Sequence, residues 1–262
     1  MVFKMCKRVV LIQILSAIFL LISLASCTNK DVPTNPSEKG IGSFYGVSNE
    51  PQNCDGYLYT TLTRYMKNDG GYSDAFQDQA YFYDANGNHI IVESLFLNNV
   101  LFNQSRLIDT IHVPFDGVQN HIWDVHGSPY LPPYSDTILS VNAININSPR
   151  SWIDTVYKHN GLTIQYSQIF GIDSIMVLVE TDNLMAHNFD TTVVVDNDVK
   201  NYLITSNTGN IYLPPSFFGN FPNNSMIEVS IMAARTKMKQ VEDKNFLIAC
   251  FSRCVAFYVI KN

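Results

Sequence analysis

The chain has 262 residues, 46% hydrophobic and 15% charged, with 17 basic against 23 acidic side chains and a formal charge of −6. That balance excludes a nucleic-acid backbone as partner, and the acids are dispersed along the chain as on an ordinary solvated surface. No apolar run after residue 27 is long enough for a membrane span, which takes about 20 residues.

The N-terminus reads as an export signal. Lys4, Lys7 and Arg8 form a positive segment, and residues 9–24 follow as an apolar run, the layout of a signal peptide. With Gln13, Ser16 and Ser23 inside it, the run is too short and too polar to stay behind as a spanning helix. It ends in Leu24-Ala25-Ser26-Cys27, which resembles the lipobox of bacterial lipoproteins: an aliphatic residue, two small residues that fit a signal peptidase, then the cysteine that takes diacylglycerol. The expectation is a signal peptide over 1–26, cleavage before Cys27, and a lipoprotein whose palmitate-type chains serve as its membrane anchor. Buried acyl chains contribute roughly 0.8 kcal/mol per methylene, so two or three of them hold permanently where one is marginal. Cleavage removes Lys4, Lys7 and Arg8 and no acid, so the 17 basic residues become 14 against 23 acidic, a formal charge of −9.

Residues 28–40 are polar and contain Pro33 and Pro36, so 27–40 is expected to be a lipidated cysteine on a flexible tether. From Ile41 onward, short runs of Val, Ile, Thr, Tyr and Phe alternate with Asn, Asp, Gly and Pro clusters, the signature of an all-β fold. Residues 162–167 and 227–231 alternate apolar and polar as half-buried strands do, and 173–179 is apolar on both faces, as in a central strand. Asp84-Ala85-Asn86-Gly87-Asn88 supplies residues for positive φ and is expected to close a hairpin between 81–83 and 89–92. No helical period lasts three turns; one helical turn is expected at Pro215-Ser216-Phe217-Phe218. About 220 residues exceed one small sandwich of about 100. The expected architecture is therefore two β-sandwich (immunoglobulin-like) domains in series, 41–146 and 147–262, with one larger sandwich as the alternative.

Several fragments bear on ancestry. Asp84-Ala85-Asn86-Gly87 precedes Leu95-Phe96-Leu97-Asn98-Asn99-Val100-Leu101, and His121-Ile122-Trp123-Asp124-Val125-His126-Gly127 precedes Pro132 and Pro133. Asn160-Gly161-Leu162-Thr163-Ile164, Asp173-Ser174-Ile175-Met176-Val177 and Gly209-Asn210-Ile211-Tyr212-Leu213-Pro214 follow in order. This succession resembles small, largely uncharacterised cell-envelope lipoproteins of Bacteroidota-type bacteria. The resemblance implies a β-sandwich fold and an extracytoplasmic, lipid-anchored place at the cell outer membrane or cell surface, with no established activity. Asp109-Thr110-Ile111, Asp136-Thr137-Ile138, Asp154-Thr155-Val156, Asp173-Ser174-Ile175 and Asp190-Thr191-Thr192 look like the sequon such bacteria O-glycosylate. The same tripeptides also read as strand starts in which the carboxylate caps a local turn.

Once Cys6 leaves with the signal and Cys27 carries lipid, only Cys54, Cys250 and Cys254 remain. On one strand Cys250 and Cys254 would lie about 13 Å apart at ~3.3 Å per residue, beyond the ~7 Å reach of a disulfide. A bridge from Cys54 to either would tie the first half to the last strand; buried thiols acting as small core residues are the favoured reading. His112, Asp116, His121, Asp124 and His126 are the densest set of ligand types, with Asp124 and His126 on one face of a strand and His121 on the other. Surface and turn residues around a buried Trp123 are the favoured reading, and no metal or other cofactor is expected.

There is no G-x-S-x-G, H-E-x-x-H, P-loop or dinucleotide turn, so the chain is not expected to be an enzyme. The expected role is binding of a glycan or an envelope protein. Tyr130 and Tyr134, in the proline-rich loop of residues 128–134, are the candidate ligand-binding residues. A structural or assembly subunit is the alternative, with residues 246–260 as a strand for exchange. A glycoside hydrolase, which needs only two carboxylates brought together in space, is the second alternative.

Overall fold

The computed structural model describes residues 54–262, apart from 85, 105–109, 152 and 183–198. The signal peptide, Cys27 and the tether lie outside the described residues.

In chain order, β1 (Gly56–Met66) and β2 (Tyr72–Phe82) form an antiparallel pair. Next come β3 (Leu95–Leu97), β4 (Val100–Leu101), β5 (Asn120–Val125) and β6 (Tyr134–Leu139), a four-stranded sheet in the order β4-β3-β5-β6. Strands β7 (Ile146–Ser148), β9 (Leu162–Tyr166) and β12 (Asn210–Leu213) make a three-stranded sheet in the order β12-β9-β7. Strands β8 (Ile153–Tyr157), β10 (Ser174–Thr181), β11 (Lys200–Ser206), β13 (Met226–Val241) and β14 (Lys244–Lys261) join β1 and β2 in a seven-stranded sheet ordered β11-β10-β13-β14-β1-β2, with β8 also on β14. The expected helical turn is a 3-10 turn at Pro215–Phe218.

The all-β reading stands, and the local patterns explain it. Strand β9 alternates buried and exposed side chains along Leu162–Tyr166. In β10, residues 175–179 are buried on both faces, as an inner strand between β11 and β13 requires. At the expected hairpin, Gly87 takes φ 79°, and Tyr83 and His89 meet in a single antiparallel bridge.

Strand β14 organises the rest. Along one edge it pairs antiparallel with the whole of β13, from Val241↔Lys244 to Met226↔Val259. Its other edge carries two parallel partners end to end: β1, from Gly56↔Phe246 to Tyr65↔Val255, and β8, from Ile153↔Phe257 to Tyr157↔Lys261. Phe246, Ile248, Cys250, Cys254, Tyr258 and Ile260 on one face of β14 belong to a single apolar core with Leu95, Leu97 and Trp123 of the four-stranded sheet and Ile146, Ile164 and Leu213 of the three-stranded sheet. Both small sheets therefore stack on the same side of the large one. Each fully buried Leu, Ile or Phe there contributes about 1.5–3 kcal/mol relative to leaving it exposed.

This topology corrects the expectation of two sandwiches in series. Strands from both sides of the 146/147 boundary share one sheet and one core, and Asp55–Asn262 is a single compact unit. The reason is the parallel pairing of β1 with β14, which brings the first described strand against the last. It also places residues 246–260 in the interior of a sheet, bonded along both edges, rather than on an edge available for exchange.

Candidate functional site

The four-stranded sheet turns Leu95, Leu97, Trp123 and Val125 into the core, so the alternate residues of its strands form an outward face. Register places Leu101, Phe96, Asp124 and Ser135 in one row across β4, β3, β5 and β6. Ile122 and Thr137 form the next row on the same face. His126 continues it beyond β5, with its ring 5.2 Å from that of Phe96. One half of the face is thus apolar and aromatic, with Leu101, Phe96 and His126; the other presents a carboxylate and two hydroxyls, from Asp124, Ser135 and Thr137, beside the exposed Ile122. Asn98, at φ 50° in the β3–β4 turn, accepts the Ile122 N–H at 2.7 Å through its side-chain oxygen and so fixes the edge of the face.

Tyr130 stands on the turn that follows β5. The Gly127 carbonyl accepts the Glu93 N–H at 2.6 Å, and the Ser128 N–H donates to the Leu131 carbonyl at 2.8 Å. Ser128 Oγ accepts the Tyr130 N–H at 3.2 Å, and Leu131 is buried beneath. Gly127 has φ 77°, and a Cβ there would lie 2.7 Å from the Leu131 carbonyl oxygen, so the turn needs glycine. Tyr130 remains 67% exposed on this support.

Tyr134 does not join it. Its ring packs 4.5 Å from that of Phe246, and its hydroxyl is buried without a hydrogen-bond partner among the described residues. Burial drives that phenol well above its ordinary range. Tyr134 is a core contact at the start of β6, because it faces the same way as its β5 partner Val125.

The remaining predicted residues separate. Asp124 and His126 share the open face while His121 is fully buried, as strand parity requires. Nε2 of His121 lies 2.7 Å from the Pro114 carbonyl, so it carries the proton, and Nδ1 accepts from the Thr60 hydroxyl at 2.7 Å. Burial lowers the pKa of this ring. Asp116 serves its own turn, accepting the Val118 and Gln119 N–H groups at 2.8 and 2.9 Å. Those bonds hold its carboxyl well below the ordinary range. Among the described residues no group of three or more His, Cys, Asp or Glu could hold a metal ion.

Cys250 and Cys254 are buried free thiols. Burial pushes them up to about 11 and about 12, which removes the thiolate that nucleophilic chemistry needs. Asp136 and Asp154 each accept the N–H of the following threonine at 2.7 Å, the turn-capping role open to those tripeptides; Thr137 and Thr155 are exposed. Asp109 and residues 190–192 lie outside the described residues.

On the other face of the large sheet, Glu180 and Glu228 are cross-strand partners. Glu228 bonds Arg253 and accepts from the Ser230 hydroxyl at 2.7 Å, while Glu180 pairs with Lys200 at 2.7 Å. Both carboxylates are engaged by cations from neighbouring strands.

Nothing in the sequence marked Phe96, Leu101 or Ser135 as binding residues, and Thr137 stood out only within the tripeptide Asp136-Thr137-Ile138. They become a site only through the register of four short strands. Compared with known proteins, the chain matches no family model and no curated relative.

Proposed function

We propose that this chain is a lipid-anchored, extracytoplasmic binding protein of the cell envelope that takes a glycan on the open face of its four-stranded sheet. The observation that carries the reading is the division of that face, with Phe96, His126 and Leu101 beside Asp124, Ser135 and Thr137 and the exposed Tyr130 at its end. A pyranose has the same division: apolar C–H faces that lie on aromatic rings, and equatorial hydroxyls that bond carboxylates and side-chain hydroxyls. The anchor rests on Leu24-Ala25-Ser26-Cys27 behind a charged and apolar leader, and it places the binding face at a membrane surface outside the cytoplasm.

A glycan array probed with residues 28–262 tests the proposal. The expected result is a defined set of bound glycans, lost in Phe96→Ala and Asp124→Ala and weakened in Tyr130→Ala. An array that stays dark, or one whose signal is the same in all three variants, refutes it. Metabolic labelling with an alkynyl palmitate tests the anchor, with label expected on the full chain and absent from Cys27→Ala.

A further inference from the structure

Strand β13 outruns its neighbour. Its pairing with β10 stops at Met232↔Met176, while its pairing with β14 continues to Val241↔Lys244. From Arg235 to Val241 the strand is therefore bonded along one edge, and the other lies open among the described residues. Phe246, the β14 partner of Lys239, pairs in turn with Gly56 of β1. The open edge thus belongs to a backed sheet and is held in strand geometry before anything binds it.

Two bonds at the far end of β13 fix which backbone groups face that edge. On the β10 side the Asp182 N–H donates to the Met226 carbonyl at 2.9 Å, and on the β14 side the Ile260 N–H donates to the Ser225 carbonyl at 3.0 Å. Bonding alternates along an antiparallel strand, so even-numbered residues of β13 turn their N–H and C=O groups towards β10 and odd-numbered ones towards β14. Past the end of β10, Thr236, Met238 and Gln240 aim these groups at the open edge, and no backbone bond from a turn or loop reaches them there. Thr236 and Gln240 are exposed and Met238 is half-buried.

The side chains beside the edge select its partner. Arg235, Lys237 and Lys239 alternate onto one face of the strand. Lys237 and Lys239 converge on the single carboxylate of Asp136, at 2.5 and 3.9 Å, and the Arg235 guanidinium donates to the Phe170 carbonyl at 2.8 Å. Cations therefore outnumber the carboxylate beside them. Glu242 and Asp243 lie past the last open residue, in the turn, where Asp243 is 3.8 Å from Lys244. We infer that residues 236–240 are a docking edge for an extended acidic segment of another protein, which joins the large sheet as a strand and sets carboxylates opposite Lys237 and Lys239. A second copy of this chain does not fit. Symmetric antiparallel pairing sets even residues against even and odd against odd. Any register that bonds two or more of the three open residues to one another then sets Lys237 or Lys239 directly against a lysine of the other copy. Like charges in that position destabilise a pair, and edge lysines guard against self-pairing in this way. An acidic strand meets the same row with the opposite sign. The inference goes beyond the glycan reading and does not depend on it.

Selection from a displayed library of random peptides of about nine residues, enough for one strand, against the full chain in detergent tests the inference. The expected winners carry Asp or Glu at every second position, and their binding slows hydrogen exchange at the amides of Thr236, Met238 and Gln240. Met238→Pro removes an outward N–H and leaves the bonds to β14 in place, as an edge position allows. It is expected to weaken the selected peptides roughly ten-fold, the loss that goes with one ladder hydrogen bond. Lys237→Glu and Lys239→Glu leave the backbone alone and are expected to weaken the same peptides and to select basic ones instead. Lys261→Glu, at the other end of β14, should change nothing. No enriched peptide, winners without acids, binding indifferent to residues 237–239, amides at 236, 238 and 240 already protected in the free chain, or a dimer that pairs through this edge would each overturn it.

Discussion

The Thr60 hydroxyl, on the large sheet, donates across the core to Nδ1 of His121, on the four-stranded sheet, at 2.7 Å. Both residues are fully buried, and the other ring nitrogen is held at 2.7 Å by the Pro114 carbonyl. The neutral ring satisfies both neighbours at once, and a proton on Nδ1 would face the hydroxyl that now donates to it. Around the ring stand the Phe115 edge, with centroids 5.1 Å apart, and Asp116, whose charge opposes the effect of burial without overcoming it. Cys250, from β14, is the cross-strand partner of Thr60.

A pH dependence follows. Burial lowers the folded-state pKa of His121 below its ordinary 6.5. Below pH 6.5 the unfolded chain therefore binds a proton that the folded chain refuses. The stability contributed by the neutral ring is whole above pH 6.5 and is lost as the pH falls from there towards the folded-state pKa. Urea midpoints measured between pH 7.5 and 5 are expected to drop over the lower part of that range. In His121→Gln, which keeps a donor for Pro114 and has no imidazole, the drop is expected to be smaller. That variant should also lose about 1–3 kcal/mol at pH 7.5, where Thr60 is left with a poorer partner. Parallel pH curves for the two proteins would refute the assignment.

What was legible in the sequence follows from how local each signal is. The alternation of β9 and the doubly apolar run of β10 are properties of a few consecutive residues, and both strands are found where they were read. The opposite faces of His121 and Asp124 come from strand parity alone. The single core was hidden because it depends on the parallel pairing of β1 with β14, and the Asn245 N–H reaches back to the Asp55 carboxylate across 190 residues. No local pattern announces a contact of that range. The burial of Tyr134 was hidden for a related reason: proline neighbours suggest a loop, yet the ring is claimed by Phe246 of β14.

The turn below Tyr130 separates presentation from packing. In Gly127→Ala the new Cβ would meet two backbone atoms, 2.7 Å from the Leu131 oxygen and 2.9 Å from the Pro133 nitrogen, in a residue at φ 77°. A strained left-handed residue with backbone neighbours that cannot give way is expected to cost about 1–3 kcal/mol. Tyr134→Ala, which strips a ring from the Phe246 contact, is expected to cost a similar or larger amount, about 2–4 kcal/mol. Tyr130→Ala should stay within about 0.5 kcal/mol of the parent, since its ring is mostly in water. Urea unfolding of the three variants checks the ranking. A Tyr130→Ala loss as large as that of Tyr134→Ala would mean that the Tyr130 ring is structural.

The thiols give the last test. Cys250 and Cys254 lie on the inward face of β14, and the Cys250 sulfur accepts the Val141 N–H at 3.3 Å, which ties the large sheet to the segment after β6. With burial holding these groups up to about 11 and about 12, very little thiolate exists at pH 8, and what exists has no path to a reagent. In a soluble form of residues 28–262 carrying Cys54→Ser, a thiol-specific chromogenic disulfide at pH 8 is expected to leave both cysteines untouched in the folded protein and to modify both in urea. Their labelling rate should follow the opening of the fold, rising with denaturant in step with unfolding rather than with pH alone. Added reductant should leave the thermal midpoint of this variant unchanged. Cys250→Ser is expected to destabilise by about 1–3 kcal/mol, because a hydroxyl replaces a larger, less polar atom in an apolar core. Rapid labelling of either thiol under native conditions would mean that β14 opens far more readily than a strand bonded along both edges should.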